Sequence, residues 1–398
     1  MFAKNNIFCI IIGMKDKEVK RIIKIEKKRQ RSAVNLIASE NYVSKDVLEA
    51  LGSQLTNKYA EGYSQFRYYG GNEYIDEIED LAKKRAVETF CLDDSWHVNV
   101  QPLSGSPANL AAYLALVPVG GKIMGMSLSD GGHLTHGHKV SITGKVWEQI
   151  SYGVGEDEHI DYEVVKEIAI SEKPTVIVAG YTAYPRIVDW KKFREIADAC
   201  GAKLMVDMSH IAGLVAGGEY PSPFEYADVV TTTTHKTLRG SRGAIIFCKK
   251  ELAKDIDKAV FPGIQGGPHM NQIAGTAVTL KEAQSEDFKK YIRQVVLNAK
   301  TLSEELKKLG WRIVSGGTDT HLFLVDTISQ GVSGKEASSK LEKEGIIVNK
   351  NTIPKDTRSP MDPSGIRIGT AFVTTQGMDE KDMVKLAGRI DKILKNGR

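Results

Sequence analysis

Four consecutive threonines lead into a histidine and a lysine in TTTTHKTLRGSRGA, which spans residues 231–244. These β-branched residues follow Val229 and Val230, which predicts an extended strand ending at His235 and Lys236. A lysine beyond a strand is most often a solvated charge. The alternative is an amine that forms a Schiff base with a carbonyl compound, which requires a desolvated pocket with polar neighbours.

Polar side chains follow two further strands in this part of the chain. TVIVAG is followed by Tyr181 and Thr182, and KLMVD ends at Asp207 with His210 shortly after it. Ligands of parallel sheets bind at the carboxyl ends of the strands. Pyridoxal phosphate needs a lysine for its aldehyde, a carboxylate for its pyridine nitrogen, donors for its phosphate and a cover for its ring. Lys236 and Asp207 are candidates for the first two.

Small residues in QPLSGSPAN are candidates for the phosphate donors. Ser104, Gly105 and Ser106 follow a predicted strand and precede the helical pattern NLAAYLALV. Free backbone N–H groups at the start of a helix suit an anion. Taken alone, the same three residues are more typical of an ordinary turn and helix cap.

The elements that must position these residues alternate between strand and helix. Asp189 is predicted to cap a helix that Gly201 ends, and this helix lies between the strands TVIVAG and KLMVD. The alternation predicts an α/β fold with a largely parallel sheet. After Gly310, three more strand candidates separated by helices, THLFLVD, GIIVNK and SGIRIGT, predict a smaller C-terminal α/β domain.

The length of 398 residues favours two domains. We predict four segments, which are an unassigned extension at 1–13, an N-terminal arm and helix at 14–55, a large cofactor domain at 56–285 and a small domain at 286–398.

Four scattered cysteines without CxxC spacing indicate a reducing compartment, which we take to be the cytoplasm, and argue against a zinc site. No apolar run is long enough to span a bilayer.

The net charge of +4 comes from one segment, because residues 15–31 contain nine Lys or Arg and three Asp or Glu. A basic helix can bind nucleic acid or acidic lipid. We favour a solvated helix whose Val19, Ile22 and Ile23 face the body of the protein. No nucleic-acid motif accompanies the segment, so we expect neither nucleic acid nor membrane as a partner.

Nine blocks of the sequence, in order, resemble the serine hydroxymethyltransferase family. They are NLIASENY (35–42), QLTNKYAEGY (54–63), RYYGG (67–71), QPLSGS (101–106), GGHLTHG (131–137), VDMSHIAGL (206–214), TTTTHKTLRG (231–240), FPGIQGGP (261–268) and SGIRIGT (364–370). The resemblance covers residue 32 to near the end. It implies a fold-type I pyridoxal-phosphate enzyme, with a large, mainly parallel-sheet domain and a smaller C-terminal α/β domain.

The resemblance also implies roles for individual residues. Lys236 resembles the lysine that binds the cofactor aldehyde, Asp207 its pyridine partner, and His133 the histidine stacked on the ring. The other cofactor contacts that it implies are Ser104, Gly105, Ser106, Thr182, His210 and His235. Arg367 resembles the arginine that holds the substrate carboxylate, and Ser39 and Arg242 are further substrate contacts.

In the family the active site is shared across a homodimer, which can assemble further into a tetramer. Tyr59, Gly266 and Gly267 would then reach the partner's phosphate, and Glu61 and Tyr69 the partner's substrate. Glu61 and Tyr69 would join Lys236, His133 and Asp207 as catalytic residues. The folate contacts implied are His133 with Leu128, Gly132, Leu134, Asn351, Ser359, Pro360 and Met361.

The implied reaction interconverts serine plus tetrahydrofolate with glycine plus 5,10-methylenetetrahydrofolate. Two alternatives stay open from the sequence. One is a folate-independent aldolase for β-hydroxy amino acids, which uses the same lysine chemistry. The other is a catalytically idle homologue that binds RNA through the basic segment. The combination of Lys236, Asp207 and Arg367 argues against the idle homologue.

Overall fold

The computed structural model describes residues 14–396, and the predicted extension at 1–13 lies outside the described residues. The helices are α1 Lys17–Ser32, α2 Lys45–Leu51, α3 Glu73–Thr89, α4 Gly105–Leu116, α5 Thr143–Val146, α6 Tyr162–Glu172, α7 Trp190–Cys200, α8 Ala212–Ala216, α9 Ala253–Lys258, α10 Met270–Ala283, α11 Glu286–Lys308, α12 Gly334–Lys343, α13 Ala371–Thr375 and α14 Glu380–Lys395. The strands are β1 Val34–Asn35, β2 Gly62–Tyr63, β3 Phe66–Arg67, β4 Trp96–Asn99, β5 Lys122–Met126, β6 Glu148–Tyr152, β7 Val176–Ala179, β8 Lys203–Asp207, β9 Val229–Thr233, β10 Ala244–Lys249, β11 Arg312–Ile313, β12 Leu322–Asp326, β13 Ile346–Ile347, β14 Asn349–Asn351 and β15 Gly365–Gly369.

A seven-stranded sheet in the order β4-β10-β9-β8-β7-β5-β6 forms the centre of the larger unit. The neighbours from β9 to β6 are parallel, whereas β10 runs antiparallel to both β9 and β4. Strands β7, β8 and β9 are buried along their apolar lengths because helices cover both faces. This sheet confirms the predicted α/β class and aligns the carboxyl ends of the three strands that carry the candidate residues.

Helix α7 forms between these strands as its sequence predicts. Its N-cap Asp189 accepts a hydrogen bond from the backbone N–H of Lys192 at 3.1 Å. Gly201 ends the helix with a φ of +76°, a conformation that side chains with a Cβ disfavour. Trp190, Phe193, Ile196 and Ala197 are buried against the sheet.

A second, antiparallel sheet in the order β11-β12-β15-β14 forms the smaller unit. One prediction fails here, because GIIVNK is not a single strand. Its first half is β13, which pairs with β1, and its second half is β14, which pairs with β15. The N-terminal segment therefore joins the C-terminal half of the chain, with β1 beside β13 and Leu36 buried in the core of the smaller unit.

Helix α11 connects the two hydrophobic cores. Phe288, Ile292 and Val295 pack into the core of the large sheet, whereas Leu302 and Leu306 pack into the core of the smaller unit. The predicted domain boundary at 285–286 falls at the start of this helix. The division into domains stays a prediction.

The basic segment forms helix α1, but its predicted packing is wrong within this chain. Val19, Ile22 and Ile23 are 43%, 56% and 51% exposed instead of facing the body of the protein, and α1 has no buried residue. The helix is fixed at its C-terminal end, where Val34 donates its backbone N–H to the carbonyl of Gly345. No helix in the described part of the chain is long and apolar enough to cross a membrane.

Leu36→Ala should destabilise the protein by about 2–5 kcal/mol, because it leaves a cavity in a closed core. Leu36 is fully buried beside residues of the C-terminal unit. Urea unfolding at fixed protein concentration measures the change. Leu297→Ala on α11, where the side chain is 41% exposed, is the matched control and should cost less than about 1 kcal/mol. Equal losses in the two variants would show that the N-terminal segment is not part of this core.

Candidate active site

A cavity of about 460 Å³ opens where β7, β8 and β9 end, and its size is typical of a site for a small molecule. The sequence-predicted residues that line it are Ser39, Ser104, Gly105, Ser106, His133, Thr182, Asp207, His210, His235, Lys236, Arg242 and Arg367. Residues that are more than 300 positions apart in the chain therefore meet in one cavity. The roles that the resemblance implies for these residues stay predictions.

Lys236 lies in the loop after β9, and its Nζ donates a hydrogen bond to Thr233 Oγ1 at 3.0 Å. No carboxylate in the described part of the chain forms an ion pair with it. Burial lowers the pKa of Lys236 to about 8, although the negative charge of Asp207 partly opposes the shift. A larger fraction of this amine is therefore neutral near pH 7 than for a solvated lysine, as nucleophilic attack on an aldehyde requires.

Asp207 ends β8, and its carboxylate is held by three donors. Oδ2 accepts from Asn109 Nδ2 at 2.8 Å and from His136 Nε2 at 3.2 Å, and Oδ1 accepts from the backbone N–H of Ser209 at 3.1 Å. Burial alone would raise the pKa of Asp207, but the hydrogen bond from His136 and the positive charge of Lys236 outweigh it and hold the pKa well below its usual range. The cavity therefore contains a fixed, ionised carboxylate.

Ser104, Gly105 and Ser106 form the start of α4. A Cβ on Gly105 would lie 2.7 Å from Thr233 Cγ2, so only glycine allows this helix to approach β9 so closely. Within the described residues, the backbone N–H groups of Gly105 and Ser106 and the two serine hydroxyls have no hydrogen-bond partner. Pro107 follows and has no N–H to satisfy. This cradle of donors at a helix N-terminus fits a phosphate group.

Arg367 enters the cavity from β15 of the smaller unit. Its Nη1 donates to the carbonyl of Thr182 at 2.6 Å, and its Nε donates to Asn349 Oδ1 at 3.1 Å. Among the described residues, no carboxylate is close enough to pair with this guanidinium, and burial lowers the pKa of Arg367 to about 10. A desolvated cation held in this way favours an anionic ligand, and its planar donors match a carboxylate.

Three histidines of the cavity, His133, His210 and His235, are poor candidates for cations. Burial lowers the pKa of His133 to about 4 and that of His235 to about 3. Burial also holds the pKa of His210 well below its usual value. His210 stacks on His321, with ring centroids 5.5 Å apart. All three side chains are therefore neutral at physiological pH.

The structure places the predicted residues from 59 to 69 and from 266 to 267 in a second cluster. Tyr59 Oη donates to Glu61 Oε1 at 3.3 Å, and the rings of Tyr59 and Tyr69 are 5.1 Å apart. A Cβ on Gly266 would lie 3.0 Å from Glu61 Oε1, and one on Gly267 would contact the ring of Tyr59. None of the five lines the cavity of the same chain.

Of the predicted folate residues, His133 lines the cavity and the other seven do not. Gly132 is buried, and its carbonyl accepts from Thr182 Oγ1 at 2.9 Å, whereas Leu134 and Met361 are 43% and 72% exposed. Leu128 is half-buried in the same loop as Gly132, Ser359 and Pro360 are exposed next to Met361, and Asn351 Nδ2 donates to the carbonyl of Thr352. Their assignment to folate stays a prediction.

Sequence reasoning missed several residues of the cavity and of its supports. Glu40, His136, Ser209 and Thr233 line the cavity. Asn109 and Asn349 orient Asp207 and Arg367 from behind. His136 lies three residues after His133 in one loop, and this spacing could have suggested it. Nothing in the sequence marks Asn109, since an asparagine inside an apolar helix has no partner until the fold supplies one.

Comparisons with known proteins agree with the geometry. The chain matches the family model "Serine hydroxymethyltransferase" over residues 12–390. It is also similar to a curated protein of Desulfotalea psychrophila with the name serine hydroxymethyltransferase. The two are 54% identical over 385 residues, which cover 97% of this chain and 90% of that relative.

Lys236→Met should stabilise the protein when no cofactor is bound, because it removes a charge that burial disfavours. The folded-state pKa of about 8 lies below the usual 10.5, so the unfolded chain holds this proton more tightly. The charge therefore destabilises the fold fully below pH 8, and the effect disappears as the pH rises towards 10.5. We expect the free energy of unfolding to rise by about 1–3 kcal/mol at pH 7.

Urea unfolding of the cofactor-free protein from pH 7 to pH 10 measures this gain, which should shrink with rising pH. Lys166→Met is the matched control, because Lys166 is exposed on α6 and should show neither the gain nor its pH dependence. A constant gain at every pH would mean that packing, and not the charge of Lys236, is responsible.

Proposed function

Since the chain belongs to the serine hydroxymethyltransferase family, we propose that its cavity interconverts serine plus tetrahydrofolate with glycine plus 5,10-methylenetetrahydrofolate. The observation that supports this best is the pair of buried cations in one cavity. Lys236 and Arg367 are both desolvated without an acidic partner in the described chain. An amine for an aldehyde and a guanidinium for a carboxylate are the two groups that amino-acid chemistry of this type requires.

The residues of the cavity fit pyridoxal phosphate as the cofactor. Ser104, Gly105 and Ser106 would hold its phosphate, Asp207 its pyridine nitrogen and Lys236 its aldehyde carbon. When bound, the cofactor supplies a conjugated ring that accepts the electrons released when a bond at the Cα of the amino acid breaks. The ionised Asp207 would keep a pyridine nitrogen beside it protonated, which would make the ring a stronger electron acceptor.

Arg367 would bind and orient the amino-acid substrate. Its contacts with Thr182 and Asn349 fix the plane of the guanidinium, so little side-chain freedom is lost when a carboxylate binds. Ser39 reaches the same cavity because the carbonyl of Leu36 accepts the backbone N–H of Gly369 at 2.8 Å. The substrate is thereby held between the large unit and the smaller one.

The proton transfers need a group that is free to accept and release a proton, and Glu40, the second carboxylate that lines the cavity, is already bonded to Asn35 Nδ2 at 2.6 Å. The three histidines with lowered pKa values are neutral, and Asp207 is committed to its three donors. We propose that Glu61 of the partner subunit moves the proton of the serine hydroxyl or of the folate amine. The half-buried carboxylate of Glu61 and its exposed aromatic neighbours support this role, since they form a cluster away from their own cavity.

The same cluster supports a homodimer with shared sites. Phe66, Tyr68 and Tyr74 are 80%, 76% and 68% exposed, and Tyr59 and Tyr69 are about half exposed. An exposed aromatic surface of this kind is typical of a protein interface. The active sites would be shared within each dimer even if two dimers assemble into a tetramer.

For the location of the protein we propose the cytoplasm, which agrees with the free thiols of Cys91, Cys200 and Cys248.

An assay with serine as substrate tests the function. Glycine should form rapidly only when tetrahydrofolate is present, and borohydride reduction followed by peptide mapping should locate the cofactor on Lys236. Rapid cleavage of β-hydroxy amino acids with no stimulation of serine turnover by tetrahydrofolate would favour the aldolase instead. A cofactor attached to another lysine would contradict the assignment of Lys236.

Arg367→Lys should weaken serine and glycine binding by about 30- to 1,000-fold, because an ammonium cannot form the bidentate pair. This corresponds to about 2–4 kcal/mol. The absorption spectrum of the bound cofactor should stay unchanged, since Arg367 does not contact Lys236 or Asp207. Titration with glycine, followed by the change in absorption, measures the affinity.

Arg312→Lys is the control for this substitution, because Arg312 lies outside the cavity in a partly exposed ion pair with Asp326 at 3.2 Å. It should leave glycine affinity unchanged. If Arg367→Lys also binds glycine as tightly as the unaltered protein, another group must hold the carboxylate.

Mixing inactive Lys236→Ala and Glu61→Ala subunits should restore activity if the site is shared. One cavity of each mixed dimer combines an intact Lys236 with an intact Glu61 from the partner. Random exchange would restore up to about a quarter of the sites. Activity after mixing, together with a tag-based measure of mixed dimers, tests this.

The matched control mixes Lys236→Ala with Arg367→Ala subunits. Both residues belong to the same chain's cavity, so no cavity in the mixed dimer becomes complete and activity should stay absent. Recovery in the control, or none in the test pair despite mixed dimers, would contradict the assignment of Glu61 to the partner's site.

A further inference from the structure

Two histidines of the cavity each accept a hydrogen bond from a backbone N–H group. The N–H of Thr135 donates to His133 Nδ1 at 3.2 Å, and the N–H of His133 donates to His136 Nδ1 at 3.4 Å. A backbone N–H can only donate, so the nitrogen that faces it must offer a lone pair. The Nδ1 atoms of both rings are therefore unprotonated, and each neutral ring carries its proton on Nε2.

The side-chain network leads independently to the same tautomer for His133. Asp207 Oδ2 can only accept, so the amide of Asn109 must present Nδ2 to it, at 2.8 Å. The second hydrogen of Nδ2 is donated to Thr135 Oγ1 at 2.9 Å. The opposite end of the amide, Oδ1, accepts from Thr231 Oγ1 at 2.7 Å, which agrees with this orientation.

The hydroxyl of Thr135 then has one hydrogen left to donate. It lies 2.7 Å from His133 Nδ1, so Nδ1 receives two donors from the same residue, the hydroxyl and the backbone N–H. The ionised carboxylate of Asp207 thus orients Asn109, which orients Thr135, which sets the proton position of His133. Asn109 is fully buried, so water does not compete for these bonds.

We infer that His133 acts in the proposed reaction as a neutral hydrogen-bond donor through Nε2 and not as a proton acceptor, and that Asn109 and Thr135 are the positioning residues that enforce this. Within the described residues, Nε2 of His133 has no hydrogen-bond partner. It is therefore free to donate to a ligand oxygen in the cavity, such as a phenolic, hydroxyl or carboxylate oxygen.

The chemistry of the ring supports this assignment. A base must offer a lone pair, but the lone pair of His133 is at Nδ1, where both Thr135 donors occupy it. Protonating Nδ1 would place its N–H against the backbone N–H of Thr135. Burial also lowers the pKa of His133 to about 4, so the ring stays neutral at the pH of the reaction.

Nitrogen NMR of the holoenzyme with ¹⁵N-labelled histidine tests the tautomer without measuring activity. His133 is identified by the signals that disappear in His133→Gln. We expect one nitrogen of His133 to be protonated and the other unprotonated from pH 6 to pH 8, with the protonated nitrogen assigned to Nε2 by its couplings to both ring carbon-bound protons. A proton on Nδ1, or a cationic ring in this pH range, would overturn the inference.

Substitutions at Thr135 test how the tautomer is set. Thr135→Val keeps the shape and the backbone N–H but removes the hydroxyl, so a measurable fraction of the Nδ1–H tautomer should appear. We expect kcat to fall by up to about tenfold, the effect of one ordinary hydrogen bond, while KM for serine stays unchanged because Arg367 is untouched. Thr135→Ser retains the hydroxyl and should restore both the tautomer and kcat.

Thr279→Val is the control, since Thr279 is a buried threonine of α10 whose hydroxyl bonds only within its own helix, to Gly275. It should change neither the nitrogen signals nor kcat. Equal nitrogen signals and equal kcat values in Thr135→Val and Thr135→Ser would overturn the role of the hydroxyl.

The inference rests on the proposed function only for the kinetic measurement. If serine turnover itself were absent, the nitrogen signals would still decide the tautomer.

Discussion

The ionised carboxylate of Asp207 is the interaction on which the rest of the cavity depends. It ends β8, and its three donors come from α4, from the loop that contains His136, and from the chain just after the strand. A buried carboxylate is stable only when such donors compensate its desolvation. The same bonds therefore fix the positions of the helix that would hold the phosphate and of the loop whose His133 would cover the ring.

Two desolvated cations lie in the same cavity as this carboxylate. Lys236 and Arg367 are both desolvated, and neither pairs with a carboxylate of the described chain. A fold that keeps such charges apart from acidic partners is less stable than it could be, and this cost is typical of a binding site. The negative groups of the ligands, a phosphate and an amino-acid carboxylate, are the partners that the arrangement lacks.

The two halves of the chain contribute different parts of the site. The large sheet supplies Asp207 and Lys236, whereas β15 of the smaller unit supplies Arg367. Helix α11 and the segment at Leu36 tie the two units together, so a change in their packing would move the guanidinium relative to the amine. The cluster around Glu61 and Tyr59 lies outside the cavity of its own chain, and its exposed aromatic rings suit a second copy of the chain.

Much of this arrangement could be predicted from the sequence. The β-branched and apolar runs that form β7, β8 and β9 specify buried strands by themselves, and Asp189 and Gly201 specify the ends of α7, because these signals act within a few residues. The order of strands and helices then places the last residue of each strand at one edge. Asp207, Lys236 and the Ser104–Ser106 cradle were therefore predictable before any contact was known.

What only the tertiary structure decided depends on residues that are distant in sequence. The exposed face of α1 was predicted wrongly, because an amphipathic pattern shows which face is apolar but not whether the same chain covers it. The split of GIIVNK into β13 and β14 follows from two different pairing partners. Asn109, Thr135 and Asn349 acquire their roles only where the fold brings an acceptor or a donor to them, since a hydrogen bond needs both groups within about 3 Å and local sequence specifies only one of them.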